Sequence, residues 1–95
     1  MLEKKSYANG QKTYEINGNS LTFYYKSGTI KAEGPYENNL MEGEWLFYRE
    51  SGKLWQVGNF KKNMKHGQWI RYDKKDKIEY MAEFVNNKIQ KKPMK

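Results

Sequence analysis

The sequence contains no cysteine and only one histidine among its 95 residues. Without cysteine the chain can form neither a disulfide framework nor a thiolate metal site. A metal site would need several His, Cys or carboxylate ligands at converging positions, and no such cluster stands out in the sequence. We therefore expect no metal and no cofactor.

Long apolar runs are also missing. The opening residues MLEKKSYANG carry charge, and no apolar stretch follows them. The sequence therefore predicts neither a signal peptide nor a membrane span. The lack of cysteine fits a reducing compartment, so we expect a cytoplasmic protein.

Aromatic residues distinguish this chain from a disordered one. Charged residues make up 31% of the sequence, which alone would favour disorder. Three Trp, eight Tyr and four Phe argue otherwise, because disordered chains are poor in aromatics and each ring buries a large area. The length predicts one domain, residues 1–95, with a thin core.

The positive charge lies in the last third of the chain. Residues 1–60 hold seven Lys/Arg and seven Asp/Glu, whereas residues 61–95 hold eleven against four and carry the whole net charge of +7. Such an asymmetry can indicate an anionic partner. The simpler interpretation is a solvated, lysine-rich surface.

The sequence repeats itself every 24 residues. Residues 19–42, 43–66 and 67–90 align without a gap, and GEWLFY in the second copy corresponds to GQWIRY in the third. A fixed period of this kind indicates a repeat architecture. The recurring columns are Leu21/Trp45/Trp69, Tyr24/Tyr48/Tyr72, Gly28/Gly52/Asp76, Ile30/Leu54/Ile78, Gly34/Gly58/Ala82, Tyr36/Phe60/Phe84 and Asn39/Asn63/Asn87.

Each copy has the pattern of a β-hairpin. An aromatic-rich run is followed by KSG, ESG or KKD and then by a second run. Gly28 and Gly52 stand where a hairpin loop needs a left-handed residue, and Asp76 tolerates that conformation. Neighbouring hairpins would have to bury each other's faces.

Strict alternation along the second strand makes a specific prediction. It would place Leu54 on the same face as Gly58, and Trp55 on the opposite face. If Tyr48 faces Leu54, residue 44 faces Gly58 and Trp45 leans across it. The small residue would let a neighbouring ring lie flat on the backbone.

The two ends of the chain depart from the period. Residues 1–18 contain the pairs Asn9-Gly10 and Asn17-Gly18, which are strong hairpin signals. We interpret them as a degenerate N-terminal capping hairpin. Residues 91–95 contain Pro93 and lack apolar alternation, which predicts a frayed basic tail.

The repeating columns resemble the MORN repeat, and more narrowly the bacterial variant found in YwqK-like antitoxin proteins. The resemblance covers residues 19–90, although Leu40, Met64 and Lys88 stand where the family has glycine. It implies an all-β fold, an elongated single-layer antiparallel sheet of successive β-hairpins. It also implies a non-enzymatic binding module, of which antitoxin or immunity-type inhibition of a toxin is a specific case.

Candidate contact residues lie where the three copies differ. Phe47 and Trp55 are rings outside the recurring columns, and Arg71 and Tyr80 accompany them in the last copy. We expect these four to contact a partner. A basic patch is predicted from residues in or beside turns, namely Lys61, Lys62, Lys65, Lys74, Lys75 and Lys77.

The sequence favours a protein partner or a homodimer, because a single-layer sheet has open edges and faces. The alternative is an anionic phospholipid surface bound by the basic C-terminal third; nucleic acid ranks third. No small-molecule substrate is predicted. Catalysis comes last, because His66 stands in a turn without a nucleophile or an orienting carboxylate set by spacing, and we expect it to be solvated.

Overall fold

The computed structural model describes residues 5–90, and the regular structure in this range is entirely β-sheet. The sheet is one antiparallel layer measuring 47 × 34 × 19 Å, with the order β1-β2-β3-β5-β6-β8-β9-β10; β4 pairs with β3, and β7 with β6. This confirms the predicted fold class. The predicted tail at residues 91–95 lies outside the described residues. The strands are β1 (Tyr14–Asn17), β2 (Ser20–Tyr24), β3 (Ile30–Glu37), β4 (Leu40–Met41), β5 (Gly43–Tyr48), β6 (Leu54–Lys61), β7 (Met64–Lys65), β8 (Gly67–Tyr72), β9 (Ile78–Val85) and β10 (Lys88–Ile89).

The three long hairpins β2–β3, β5–β6 and β8–β9 turn where the sequence predicts. Gly28 and Gly52 take φ values of 98° and 100°, and Asp76 takes 64° in the third loop. Each of these residues donates its amide to the carbonyl three residues earlier. The left-handed position explains the glycine column, and aspartate can occupy it at a moderate cost.

A β-bulge recurs at the same place in each hairpin and corrects the predicted alternation. Tyr48 pairs with Leu54 as expected, but Phe47 pairs with Gln56, so Trp55 is the extra residue. Lys31 and Glu79 are the extra residues in the other two hairpins. Gly58 consequently faces Trp45 instead of residue 44. A bulge redirects a side chain, and here it places Trp55 on the same side of the sheet as Gln56.

The second turn of each copy contains two left-handed residues. The pairs Asn38–Asn39, Lys62–Asn63 and Asn86–Asn87 all have φ between 49° and 73°. Two such residues define the type I′ turn that suits a tight hairpin. Asn63 Oδ1 also accepts the amide of Met41 at 2.7 Å, which joins neighbouring copies. The turns therefore form without the family's following glycine.

The N-terminal segment contains a fourth hairpin loop that the 24-residue shift does not reveal. Tyr7 Oη donates to the carbonyl of Tyr24, as Tyr25 Oη donates to that of Tyr48, both at 2.7 Å. Gly10 has a φ of 91° and stands in the loop as Gly28 does. The spacing from Tyr7 to Tyr25 is 18 residues, because only a short turn joins β1 to β2.

That short turn is centred one residue later than the sequence suggests. Asn17 pairs with Ser20, so the central residues are Gly18 and Asn19. Only Gly18 of the two has a positive φ, at 59°. A glycine at the first central position is the pattern of a type II′ turn, which differs from the type I′ turn that Asn17-Gly18 would favour.

The core consists of tryptophan rings lying flat on glycines of the preceding copy. A Cβ added to Gly34 would overlap the ring of Trp45, and one added to Gly58 would overlap the ring of Trp69. The ring on Gly58 thus comes from the following copy, whereas the sequence suggested Trp45. Each indole Nε1 donates to the carbonyl after its glycine, to Pro35 from Trp45 at 3.0 Å and to Asn59 from Trp69 at 2.9 Å.

We call the face that carries these rings the front face. Trp45 is fully buried and Trp69 is 3% exposed. Phe60 meets both indoles edge-on, with centroid distances of 6.0 and 5.2 Å. Phe47 lies 5.7 Å from Trp69 in a tilted contact. Aromatic contacts therefore replace the second layer that a sandwich would supply.

The opposite face, which we call the back face, carries tyrosine–glutamate pairs. Tyr24 Oη donates to Glu15 at 3.0 Å and Tyr48 Oη to Glu33 at 2.8 Å. The hydrogen bond from Tyr24, followed by the charge of Lys12, lowers the pKa of Glu15. The hydrogen bond to Glu15 and then burial raise the pKa of Tyr24 above its ordinary 10.0. Burial, followed by the bond to Glu33, raises the pKa of Tyr48.

These pairs predict a loss of stability at alkaline pH. A tyrosine whose pKa is raised by folding contributes stability below pH 10, and this contribution disappears as the pH rises through the folded pKa. We expect the free energy of unfolding to fall more steeply above pH 10 in the wild type than in the double variant Tyr24→Phe/Tyr48→Phe. Urea denaturation below and above pH 10 measures both slopes; equal slopes would contradict the prediction.

Candidate functional site

The front face carries a row of directly opposed side chains across seven strands. β-Sheet pairing places its members side by side, one from each of β1, β2, β3, β5, β6, β8 and β9. Directly opposed residues share a face and contact one another. The row is apolar in its first half and polar in its second, and consists of Tyr14, Phe23, Ala32, Phe47, Gln56, Arg71 and Tyr80.

A cationic cleft lies at the polar end of this row. The guanidinium carbon of Arg71 stands 5.4 Å from the Trp55 ring and 5.0 Å from the Tyr80 ring. Arg49 approaches Trp55 at 6.0 Å. Arg49 stands in the loop directly after β5 and Arg71 lies on β8, and these two strands flank β6, which carries Trp55. The result is an alternating stack of cations and rings.

Hydrogen bonds hold both guanidinium groups in place. Arg71 Nε donates to Gln56 Oε1 at 3.3 Å, and one terminal nitrogen of Arg49 donates to the carbonyl of Tyr72 at 2.8 Å. Each guanidinium carries five N–H donors in a planar fork, so further donors remain for a ligand. A side chain already fixed by stacking and hydrogen bonding loses less conformational entropy on binding.

Lysines border the cleft at the loop between β8 and β9. Lys74 and Lys75 line it together with Asp73 and Glu79, and the cleft has a volume of about 640 Å³. Asp73 Oδ1 already accepts the amides of Lys75 and Lys77, at 2.8 and 3.0 Å. Four basic residues against two acidic ones make the cleft suitable for an anionic group.

An apolar depression lies on the same face, one copy towards the N-terminus. It has a volume of about 310 Å³, and its lining includes Tyr7, Phe23, Lys31, Ala32 and Phe47. Phe23 and Phe47 are partly exposed, whereas Ala32 is only 4% exposed and forms part of the core. The depression therefore offers ring surfaces to a ligand.

The structure brings three of the four predicted contact residues together. Trp55 and Arg71 line the cationic cleft, and the ring of Tyr80 lies beside the Arg71 guanidinium. Phe47 belongs to the aromatic core, through Trp45 and Trp69, and lines the apolar depression instead.

The six predicted lysines divide between the two ends of β8. Lys61, Lys62 and Lys65 lie at or beside the turn between β6 and β7, whereas Lys74, Lys75 and Lys77 lie in the loop after β8. Five residue steps along β8 separate these ends by about 17 Å. Lys65 extends over the rings of Trp69 and Phe84, at 4.8 and 4.9 Å.

Sequence reasoning did not select Arg49 or Gln56. Arg49 occupies the slot of Tyr25 and Asp73, and it retains the bond that Tyr25 makes to the next copy. Gln56 occupies the slot of Ala32 and Tyr80, and is 9% exposed. The residue type varies among the copies at both positions, and this variation was the sequence signal that could have identified Arg49 and Gln56.

His66 differs from the solvated turn residue that the sequence suggests. Its side chain is partly buried, and Nδ1 is buried without a hydrogen-bond partner. Between residues 5 and 90 no three His, Cys, Asp or Glu side chains are grouped so that they could hold a metal ion. The same range contains no helix of the length and hydrophobicity that a membrane span requires.

Hairpins that add one after another to a single sheet, with an exposed face of rings and cations, define a β-hairpin repeat protein. A family model described as the MORN repeat variant matches residues 20–38, 41–62 and 65–86. These ranges cover well over half of the chain, which therefore belongs to this family of repeats. Its members are in general non-catalytic binding modules. No curated protein matches this chain, and no solved structure does either.

Proposed function

We propose that this chain is a protein-binding module that holds an acidic segment of its partner in the cationic cleft. The observation that carries the proposal is the stack of Arg49, Trp55 and Arg71, with both guanidinium groups fixed by hydrogen bonds. Arginine forks bind carboxylates in pairs of parallel hydrogen bonds. Tryptophan and arginine are also the residues that most often dominate the energy of a protein interface.

The slots of the cleft support a role beyond folding. Lys31, Trp55 and Glu79 are the equivalent bulge residues, and Phe23, Phe47 and Arg71 are equivalent on the first strand. Since each slot accepts very different side chains in an otherwise constant hairpin, the fold does not require Trp55 or Arg71. Their combination in one place is then best explained by a ligand.

One finer version of the function and two alternatives to it also remain proposals. Inhibition of a toxin, as an antitoxin or immunity protein, rests on the family resemblance alone. An anionic membrane is a less suitable partner for this surface, because the lysines lie at two ends of β8 instead of forming one basic plane. Sedimentation of the purified chain would detect a homodimer. Such a dimer is compatible with the proposed function only if it leaves the cleft accessible to the partner segment.

We expect the full chain to bind synthetic twelve-residue peptides that contain a block of Asp and Glu, more weakly at high salt. Arg71→Phe should lower the affinity at least tenfold, because a charge-assisted hydrogen bond contributes about 1.5–3 kcal/mol. Trp55→Glu should also weaken binding, because it removes the ring between the two arginines and adds a negative charge to the cleft. Both replacements occur naturally in the equivalent slots, so the fold should tolerate them. Fluorescence anisotropy measures the affinities.

Lys61→Gln is the matched control, because it removes one charge at the end of β6 that is remote from the cleft. We expect it to change the peptide affinity less than twofold. An equal loss of peptide affinity in Lys61→Gln and Arg71→Phe would show that only the net charge of the protein matters, and it would contradict the proposal. Binding to phosphatidylserine vesicles without any peptide binding would favour the membrane instead.

A further inference from the structure

The apolar depression and the cationic cleft overlap when one copy of the repeat is placed on the next, because Lys31 and Phe47 line the depression and their equivalents Trp55 and Arg71 line the cleft. Ala32 and Gln56 are equivalent, as are Phe47 and Arg71, and Lys31 and Trp55. In the earlier copy the two facing side chains are Phe23 and Phe47, and in the later copy they are Phe47 and Arg71. The front face therefore presents two adjoining subsites of opposite chemistry.

The register fixes the distance between the two subsites. Ala32, Phe47, Gln56 and Arg71 are directly opposed on β3, β5, β6 and β8. Neighbouring strands are about 4.8 Å apart, so the three steps from Ala32 to Arg71 span about 14 Å. An extended peptide covers this distance with about four residues, at about 3.3 Å per residue.

We propose that one partner segment occupies both subsites at once, with an apolar side chain in the depression and acidic side chains in the cleft, separated by about four residues. This inference rests on the proposed function, since it names the chemistry and the spacing of the acidic partner segment. Because the subsites differ, the segment binds in one direction only.

The surroundings of the depression favour an apolar occupant. Phe23 and Phe47 present partly exposed ring surfaces on either side of Ala32, which contributes no polar side-chain atom. The ammonium of Lys31 is turned towards the ring of Tyr25, 5.7 Å from its centroid. The hydroxyl of Tyr7 is used by the carbonyl of Tyr24. An aromatic or aliphatic side chain here would bury apolar surface on both partners.

The test compares two fluorescently labelled peptides on the full chain. One carries an acidic block of Asp-Asp-Glu, a Gly/Ser spacer of four residues and an apolar block of Phe-Leu; the other carries the acidic block and the spacer alone. We expect the two-block peptide to bind at least tenfold more tightly.

The chain itself supplies the variants. Ala32→Gln fills the depression with the side chain that Gln56 places in the equivalent slot, and we expect the ratio of the two affinities to fall from at least ten to about one. Tyr7→Arg reproduces Arg49 in its slot, which retains the bond to the next copy, and should lower the ratio in the same way. Lys61→Gln is the control, and its ratio should equal that of the wild type. Tryptophan fluorescence during denaturation verifies that each variant is folded.

The results separate the two proposals. If the acidic peptide binds but the apolar block adds less than twofold, the two-subsite inference is wrong and the acidic cleft stands. An unchanged ratio in both Ala32→Gln and Tyr7→Arg would also overturn the inference. If neither peptide binds the wild-type chain, the proposed function itself fails.

Discussion

Replacing Gly58 with alanine is expected to destabilise the protein by about 2–4 kcal/mol. The added Cβ would overlap the indole of Trp69, which lies flat on this glycine and donates its Nε1 hydrogen to the carbonyl of Asn59. The ring would have to move, losing that bond and its contacts with Phe47 and Phe60. Overpacking alone costs about 1–3 kcal/mol, and the broken indole hydrogen bond adds about 1 kcal/mol.

Urea denaturation followed by tryptophan fluorescence measures the effect. Ala82→Gly is the matched control, because Ala82 is the third member of the same slot. The sequence has Pro93 one period after Trp69, so it supplies no tryptophan for this slot. We expect it to cost only about 0.5–1 kcal/mol, the usual penalty of glycine in a strand. If Gly58→Ala costs no more than Ala82→Gly, the ring does not depend on the glycine.

Trp45→Ala is expected to destabilise the protein by about 4 kcal/mol, in line with truncation of large buried rings. Trp45 is completely buried between Gly34, Phe23 and Phe60, and its Nε1 donates to the carbonyl of Pro35. Small domains have a total stability of about 5–15 kcal/mol. A single-layer sheet with a thin core belongs at the low end of this range, so about 1 kcal/mol would remain and the variant should have an unfolded population that is visible without denaturant.

Trp45→Leu provides the comparison, because Leu21 fills the equivalent slot in the first copy and is 1% exposed. We expect roughly half the loss seen for alanine, since leucine restores part of the buried volume. The midpoint of thermal unfolding, monitored by circular dichroism, ranks the three proteins. Equal losses for alanine and leucine would show that the indole hydrogen bond decides the stability, and the ring volume does not.

Most of the fold could be predicted from the period alone. Columns such as Gly28/Gly52/Asp76 and Gly34/Gly58/Ala82 gave the hairpins, their loops and the small residues beneath a ring. The face of Trp55 could not be predicted, because a bulge of one residue reverses every alternation that follows it and has no distinctive sequence signal. The Asn9-Gly10 pair indicated an N-terminal hairpin, but the period did not show that its loop is equivalent to those of the later copies, because its connection to β2 is six residues shorter than the period requires.

The candidate site was only partly accessible to sequence reasoning. Variation among equivalent slots indicated Trp55, Arg71 and Tyr80, and the structure places these three side by side. It did not indicate Arg49, which looks like an ordinary turn residue until its guanidinium is found beside Trp55. The charge asymmetry suggested one basic patch, but lysines close in sequence lie at opposite ends of a strand.

The sequence by itself determined the repeat, its hairpin character and the columns that build the sheet, because these depend on local turn geometry and on a spacing that neighbouring copies share. Only the tertiary structure decided which copy's indole covers which glycine and which face receives the bulged side chain. Those outcomes depend on strand register, and a shift of one residue exchanges the two faces of the sheet. The front-face row, with its apolar and cationic halves, exists only once that register is set.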